Sequence, residues 1–236
     1  MPSKSFSLDD GLVFTVYKRR GNRQLRLSIS PAGKVRVSIP AWAPYKMGVD
    51  FAHSRQGWLN EQIEKPVLLR NGQVIGKNHH LELRPSPSAK KVTTRVQPTT
   101  ITVTYPTAMA ASSDQVQQAA HRAALRSLRH QAEQLLPQRL RTVADRHGFD
   151  YRSVRIKQLT GRWGSCDQYK NIVLSLFLMQ LPWSLIDYVL LHELTHTRVL
   201  RHGPAFWQAM AAVSANAKDD RRSLQAYRPI LAHSPV

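Results

Sequence analysis

The 236-residue chain has one cysteine, Cys166, so no internal disulfide can form. A lone thiol fits a reducing compartment, and a cytoplasmic protein is expected. No apolar run approaches the roughly 18 residues of a membrane span, so no membrane partner is expected. The first residues, MPSKSFSLDDG, lack the apolar core of a signal sequence. Acid is scarce: 15 Asp and Glu stand against 34 Lys and Arg, for a formal net charge of +19. Such a surface attracts polyanions, with nucleic acid, nucleotides and phosphorylated substrates as the candidate classes. The bases are spread along the chain (Lys18, Arg19, Arg20, Arg122, Arg126, Arg129, Arg139, Arg141, Arg221, Arg222) rather than gathered in one tail. Generic solubility charge is the alternative. Repeats and low-complexity segments are also missing, and nothing in the sequence sets an oligomeric state.

What is present reads as a globular chain. Hydrophobic content is an ordinary 42%, and the length allows a real core in one domain or two. Alternating apolar residues predict strands at 12–18, 24–30 and 34–39, joined at Gly21-Asn22 and Pro31-Ala32-Gly33 into a β-meander. A helix is predicted over 45–64, with Met47, Val49, Phe51, Trp58, Leu59 and Ile63 on its apolar face. Strands at 79–84, 91–96 and 100–104 come next, with Pro85-Ser86-Pro87-Ser88 as an exposed loop and 106–113 as a connector. A long basic helix should occupy 114–147, kinked or split at Pro137 and stopped by Gly148. Val154 and Ile156 begin one strand and Ile172–Leu174 another; helices are predicted at 183–200, 204–215 and 218–227.

The helix at 183–200 carries His192-Glu193-Leu194-Thr195-His196. Histidines four apart differ by about 40° in azimuth, so both imidazoles leave one face, one turn apart. That separation suits two ligands of one Zn²⁺, with Glu193 placed to take a proton from a water that the metal activates. Leu185, Ile186, Val189, Leu190 and Leu194 recur at helical spacing, and Ser184 behind Pro182 is a fair cap. A histidine pair on a solvated helix is the bland alternative, and the apolar surroundings speak against it.

A third ligand must come from elsewhere. No glutamate follows Glu193, and the only later acids are Asp219 and Asp220. His202 lies six residues after His196; on an unbroken helix, steps of about 100° would turn it away from the ligand face. Gly203-Pro204 offers a helix stop and a new start, so the chain can bend there and return the imidazole. The metzincin pattern has this His-to-His spacing but a glycine where Val199 stands, and a β-branched residue resists positive φ. Capping of the helix C-terminus is the other role open to His202.

Between the two later strands lies Gly161-Arg162-Trp163-Gly164-Ser165-Cys166. Its glycines suggest a tight loop that lets backbone approach something closely. Arg162 offers a planar donor fork for carboxylate or phosphate, Trp163 a stacking surface, and Ser165 a small polar lining group. A hairpin whose tryptophan plugs the core is the structural alternative. Cys166 is not expected to act as nucleophile, since a metal site supplies one, nor as a fourth ligand.

Together these motifs carry a resemblance. Arg162-Trp163-Gly164-Ser165-Cys166, Asn171-Ile172-Val173-Leu174, Tyr188 through His196, and His202-Gly203-Pro204-Ala205-Phe206-Trp207 resemble the YgjP-like metallopeptidase family, which is related to the SprT/WLM group of zincins. The β-rich N-terminal part, with Ile39-Pro40 and Trp58-Leu59, resembles it too. Arg201 and Gly203 depart from the asparagine and serine the family often has around the third histidine. By this resemblance His192, His196 and His202 bind the metal and Glu193 is the catalytic acid/base. The fold expected is α+β: an N-terminal β-rich region over 1–107, then a zincin-like metallohydrolase region over 108–236.

The resemblance implies a zinc-dependent hydrolase acting on a peptide or protein. A second reading is a nucleoside-triphosphate (UTP-like) pyrophosphatase on the same site, with Arg162 gripping phosphate and Ni²⁺ as another possible metal. A third is a nucleic-acid-associated protein with structural zinc. Three ligands beside a glutamate argue against it, because structural zinc sites are usually closed by four.

Overall fold

The computed structural model describes residues 2–29, 35–62, 68–227, 229 and 231. Contacts divide the chain into two units, Met1–Val67 and Leu68–Val236. The first holds β1 (Ser3–Ser7), β2 (Val13–Arg19), β3 (Arg26–Ile29) and β4 (Val35–Pro40), then α1 (Tyr45–Ser54) and α2 (Gln56–Gln62). The spatial order is β1-β2-β4-β3, with β2 and β4 parallel, so the expected meander is not formed. Burial decides the order. Val35, Val37 and Ile39 make β4 the most apolar strand and place it inside, whereas β3 exposes Arg26 and Ser28 and takes an edge. Phe14 and Val16 of β2 complete the core, under Ala52 and Leu59 of the helices. A Cβ on Gly48 would lie 2.7 Å from Val16, so α1 rests directly on the sheet there. The helix expected over 45–64 breaks at Arg55. The turn at Pro31–Gly33 and Ile63 lie outside the described residues.

The second unit opens with β5 (Val74–Ile75), β6 (His79–Ser86), β7 (Thr93–Val96) and β8 (Thr100–Pro106), in the spatial order β5-β6-β8-β7 with β6 and β8 parallel. Pro85 and Ser86 thus belong to a strand rather than to the expected loop. Across this sheet lies α3 (Asp114–His147), 34 residues long. Ala119, Ala120, Ala123, Ala124 and Leu128 form its buried stripe, and the small side chains let the sheet come close. The helix is not split at Pro137, although the missing N–H and the ring clash cost about 3 kcal/mol. Leu136, Leu140 and Val143 are buried on both sides of the proline, and their packing holds the helix together. Gly148 stops it at φ 65°, left-handed as glycine permits.

Two glutamines bind α3 to the sheet. Gln117 exchanges hydrogen bonds with the backbone of Leu69 at 2.8 and 3.1 Å. Gln131 accepts from Lys77 N at 2.6 Å and donates to Ile75 O at 3.1 Å. Leu81, Ile101, Val103 and Tyr105 share one core with α3, and for this reason the chain divides at 67/68 and not after 107. A three-stranded sheet comes next: β9 (Ser153–Lys157), β10 (Gly164–Cys166) and β11 (Asn171–Ser175), ordered β10-β11-β9, with β10 an edge. A 3-10 helix over Leu176–Gln180, wholly buried through Met179, leads to α4 (Trp183–Thr195), α5 (Pro204–Val213) and α6 (Ala217–Ala226). Among the described residues no helix is long and apolar enough to cross a membrane.

Candidate metal centre

Helix α4 is buried almost all round, from Leu185 to Thr195, so it runs through the core and ends at a cavity. Pro182, not Ser184, stands at its N-cap, and no side chain caps it. The helix stops at Thr195 rather than near 200. Hydroxyls intervene: Thr195 Oγ1 donates to Leu191 O and Thr197 Oγ1 to Leu194 O, each at 2.7 Å. Leu194 O also accepts from Thr197 N at 2.9 Å, so the chain closes a turn there and leaves the helix.

The return to His202 needs no left-handed residue. Among described non-glycine residues only Lys170 has positive φ. Gly203 is extended, at φ −110° and ψ −173°, and serves as the N-cap of α5 with Pro204 behind it. Val199 therefore suits a turn in which metzincins use glycine. Gly203 opens the next helix instead of closing the last one.

This path brings three imidazoles together. His202 Nε2 lies 2.9 Å from His192 Nε2 and 3.1 Å from His196 Nε2. Nitrogens bound tetrahedrally to one zinc ion stand about 3.3 Å apart. His196 Nδ1 is 3.0 Å from Val199 O; a carbonyl only accepts, so Nδ1 carries the proton and Nε2 presents its lone pair to the cluster. Burial, followed by the neighbouring histidines and Arg221, lowers His192 to about 3. Burial lowers His196 as well. Imidazoles facing nitrogen to nitrogen are a donor set that a divalent cation fits. Phe206 stacks on His196 at 4.5 Å, Trp207 on His202 at 5.9 Å, and the Arg221 guanidinium over Trp207 at 4.5 Å.

Glu193 is buried beside this cluster, and its Oε2 has no hydrogen-bond partner. Burial pushes its carboxyl up to about 8 against the pull of the Arg162 guanidinium. A Cβ on Gly164 would lie 2.6 Å from Glu193 Oε1, so the close approach that this glycine permits is to the glutamate. The thiol of Cys166 is pushed up to about 11, by burial first and then by Glu193 and Asp167. It therefore stays protonated at neutral pH, which disfavours it as a nucleophile, and it is not grouped with the three histidines.

A cavity of about 1010 Å³ opens on the cluster, lined by the three histidines, Glu193, Arg162, Trp163 and Ser165 among others. Trp163 lines the cavity and also packs on the core. Asp219 and Asp220 do not line the cavity. Tyr188, Trp207 and Arg221 do, and sequence reasoning gave them no role there. Tyr188 was within reach of it, lying one turn before His192 on the same helix face. Arg221 had no local signal at all, because only the packing of α6 brings it to α4.

A family model described as "YgjP-like, metallopeptidase domain" matches residues 23–227. Among solved structures, the metallopeptidase zymogen of Pyrococcus abyssi abylysin is similar at 25% identity. That match covers 40% of this chain and 97% of abylysin, with a TM-score of 0.35. No curated protein matches the chain.

Proposed function

The chain belongs to the YgjP-like metallopeptidase family and is a metal-dependent hydrolase; on that premise we propose that it cleaves peptide bonds with one Zn²⁺ held by His192, His196 and His202. The observation that carries this reading is the convergence of three imidazole nitrogens beside a buried carboxyl group, whose Oε2 has no hydrogen-bond partner, in an open cavity. Bound there, the ion supplies Lewis acidity and lowers the pKa of a water. Glu193 holds the proton: its Oε2 accepts it during attack and returns it to the leaving amine. Arg162, on the same wall of the cavity, offsets negative charge as it develops on the substrate. Gly164–Cys166 form a sheet edge at the cavity wall, and an extended peptide adds to such an edge by main-chain hydrogen bonds. A structural zinc role is disfavoured because the fourth side of the cluster is cavity, not ligand.

A second reading, nucleoside-triphosphate hydrolysis, is favoured by one specific observation. Arg162 and Arg221 both line the cavity, and among the described lining residues Glu193 is the only one with a carboxyl group. Imidazole ligands suit nickel as well as zinc. The two readings separate when protein loaded with Zn²⁺ or Ni²⁺ is assayed on unstructured polypeptide and on nucleoside triphosphates. Polypeptide cleavage by the zinc form is expected, with the metal lost in His192→Ala and in His196→Ala. Pyrophosphate release without any peptide cleavage would overturn the peptide reading in favour of the second.

A further inference from the structure

The outer face of the first sheet is rich in hydroxyl and guanidinium groups. With Phe14, Val16, Val35, Val37 and Ile39 turned inward, the alternate residues face out. The register sets them in rows across the strands. Ser3, Tyr17, Ser38 and Arg26 make one row, and Ser5, Thr15, Arg36 and Ser28 the next. Contacts agree with the rows: the Ser5 and Thr15 hydroxyls are 3.3 Å apart, and the Arg36 guanidinium lies 5.9 Å from the Tyr17 ring centroid. Hydroxyl, phenol and guanidinium are the only polar side-chain groups in these rows; among the described residues no carboxylate is present. Among the described side chains of this unit the acids are Asp9, Asp10 and Asp50, and Asp10 lies in the turn after β1, where its Oδ1 accepts from Leu12 N at 3.1 Å. Asp9 meets His53 of α1 at 3.7 Å, and Asp50 is on α1 itself.

One end of the face adds a second feature. Arg19 pairs with Pro40, and exposed Arg20 and Arg23 lie in the turn beyond it. Two residues past Pro40, Trp42 is 76% exposed, the largest exposure among the large hydrophobic side chains. The chain contains its own contrast. The second sheet has the same topology, but on its outer face Glu82 pairs with Arg84 at 3.1 Å and with His80 at 3.6 Å. There a carboxylate offsets part of the charge; in the rows of the first sheet none does.

We propose that this outer face, together with Arg19 and the exposed Trp42 just beyond the end of β4, binds single-stranded nucleic acid. A single strand presents repeating phosphates and free base faces together. Guanidinium groups and hydroxyls meet the former, and exposed aromatic rings stack with the latter. An acidic protein or a charged membrane uses the arginines but has no use for base stacking on Trp42 and Tyr17. None of these residues lines the cavity of the metal site.

The test is fluorescence anisotropy of the full-length protein with labelled poly-dT and poly-U of about 20 nucleotides, longer than the roughly 4–16 that one site occupies. The two homopolymers distinguish DNA from RNA. The variant Arg19→Gln/Arg26→Gln/Arg36→Gln is expected to bind at least tenfold more weakly. Its log–log salt slope should be shallower by about 2, at roughly 0.7 per lost phosphate contact. Arg122→Gln/Arg129→Gln/Arg141→Gln, which removes the same charge from α3, should change affinity less than about twofold. Trp42→Ala should weaken binding about tenfold at an unchanged slope, as loss of stacking does, and Tyr17→Ala should behave alike. Hydrolase activity reports folding of the second unit, and circular dichroism reports the first. Should Tyr17→Ala misfold, the exposed Trp42 decides alone. Equal losses in the two triple variants, wild-type affinity in Trp42→Ala, or preferential binding to phosphatidylserine vesicles would each overturn the proposal.

Discussion

Both four-stranded sheets place their strands in the spatial order first, second, fourth, third, with a parallel central pair and antiparallel outer pairs. The helices that cover the two sheets differ. The first is covered by two short helices that break at Arg55. The second is covered by the 34-residue α3, which also reaches β9, the 3-10 helix and α4 and so braces the elements of the metal site. Outward-facing residues differ as well, with no carboxylate in the rows of the first sheet and Glu82 on the second. Topology alone assigned neither unit its role. Buried polar groups at the end of a core helix make a reactive site. Unpaired charge and aromatic rings on a sheet face make a docking surface.

The sharpest break of this comparison comes from Glu193→Gln. The amide keeps the shape of the side chain but cannot take a proton, so turnover should fall by about 10²–10⁴ while bound metal stays stoichiometric. Oligonucleotide affinity should not change. Turnover assays and metal analysis on the same preparation check both halves. If metal leaves together with activity, Glu193 is a structural support of the cluster and not its base.

Core truncations should separate the units next. Leu128 is fully buried under the second sheet, and Leu128→Ala should cost about 2–5 kcal/mol. Phe14 is buried in the first sheet, and Phe14→Ala should cost about 3–5 kcal/mol. Heating each variant while tracking turnover and oligonucleotide binding tells them apart. Leu128→Ala should lose turnover at lower temperature, and Phe14→Ala should lose binding. Simultaneous loss of both functions in both variants would mean that the units unfold as one.

The sequence was informative where the physics is local. His192 and His196 fall on one helix face by spacing alone, with Glu193 beside them, and Gly203-Pro204 marked the bend that brings His202 back. Gly148 was legible as a stop because only left-handed backbone ends α3 that way. Strand order was not legible. Gly21-Asn22 reads as a hairpin turn, yet β4 enters between β2 and β3, since burial of Val35, Val37 and Ile39 outweighs sequence adjacency. The boundary at 107 rested on the polar, proline-marked connector. The observed one rests on Gln117, Gln131 and the alanine stripe of α3, whose partners are dozens of residues away. Short strands such as β5 and β10 have too few residues to show alternation. Arg221 reaches the cavity by helix packing, which no local pattern encodes.

The smallest expected effect tests the comparison from the other side, by making the second sheet resemble the first. Glu82 is partnered by both Arg84 and His80, and exposed pairs of this kind contribute only about 0–1 kcal/mol, so Glu82→Gln should fold normally. The substitution removes the carboxylate that offsets part of the charge on this face and leaves Arg84 and Arg95 beside Thr102 and Thr104. A phosphate chain should then gain a weak second landing place, and oligonucleotide affinity should rise about twofold at low salt, fading within the screening of about 0.15 M salt. The gain must be small because this sheet has no counterpart of Trp42 or Tyr17, and charge without stacking is weak and steeply salt-dependent. The decisive measurement places Glu82→Gln in the Arg19→Gln/Arg26→Gln/Arg36→Gln background. A minor, salt-sensitive recovery leaves the contrast between the sheets standing. Full recovery of affinity would show that net charge alone had distinguished them, and the aromatic half of the argument would fall.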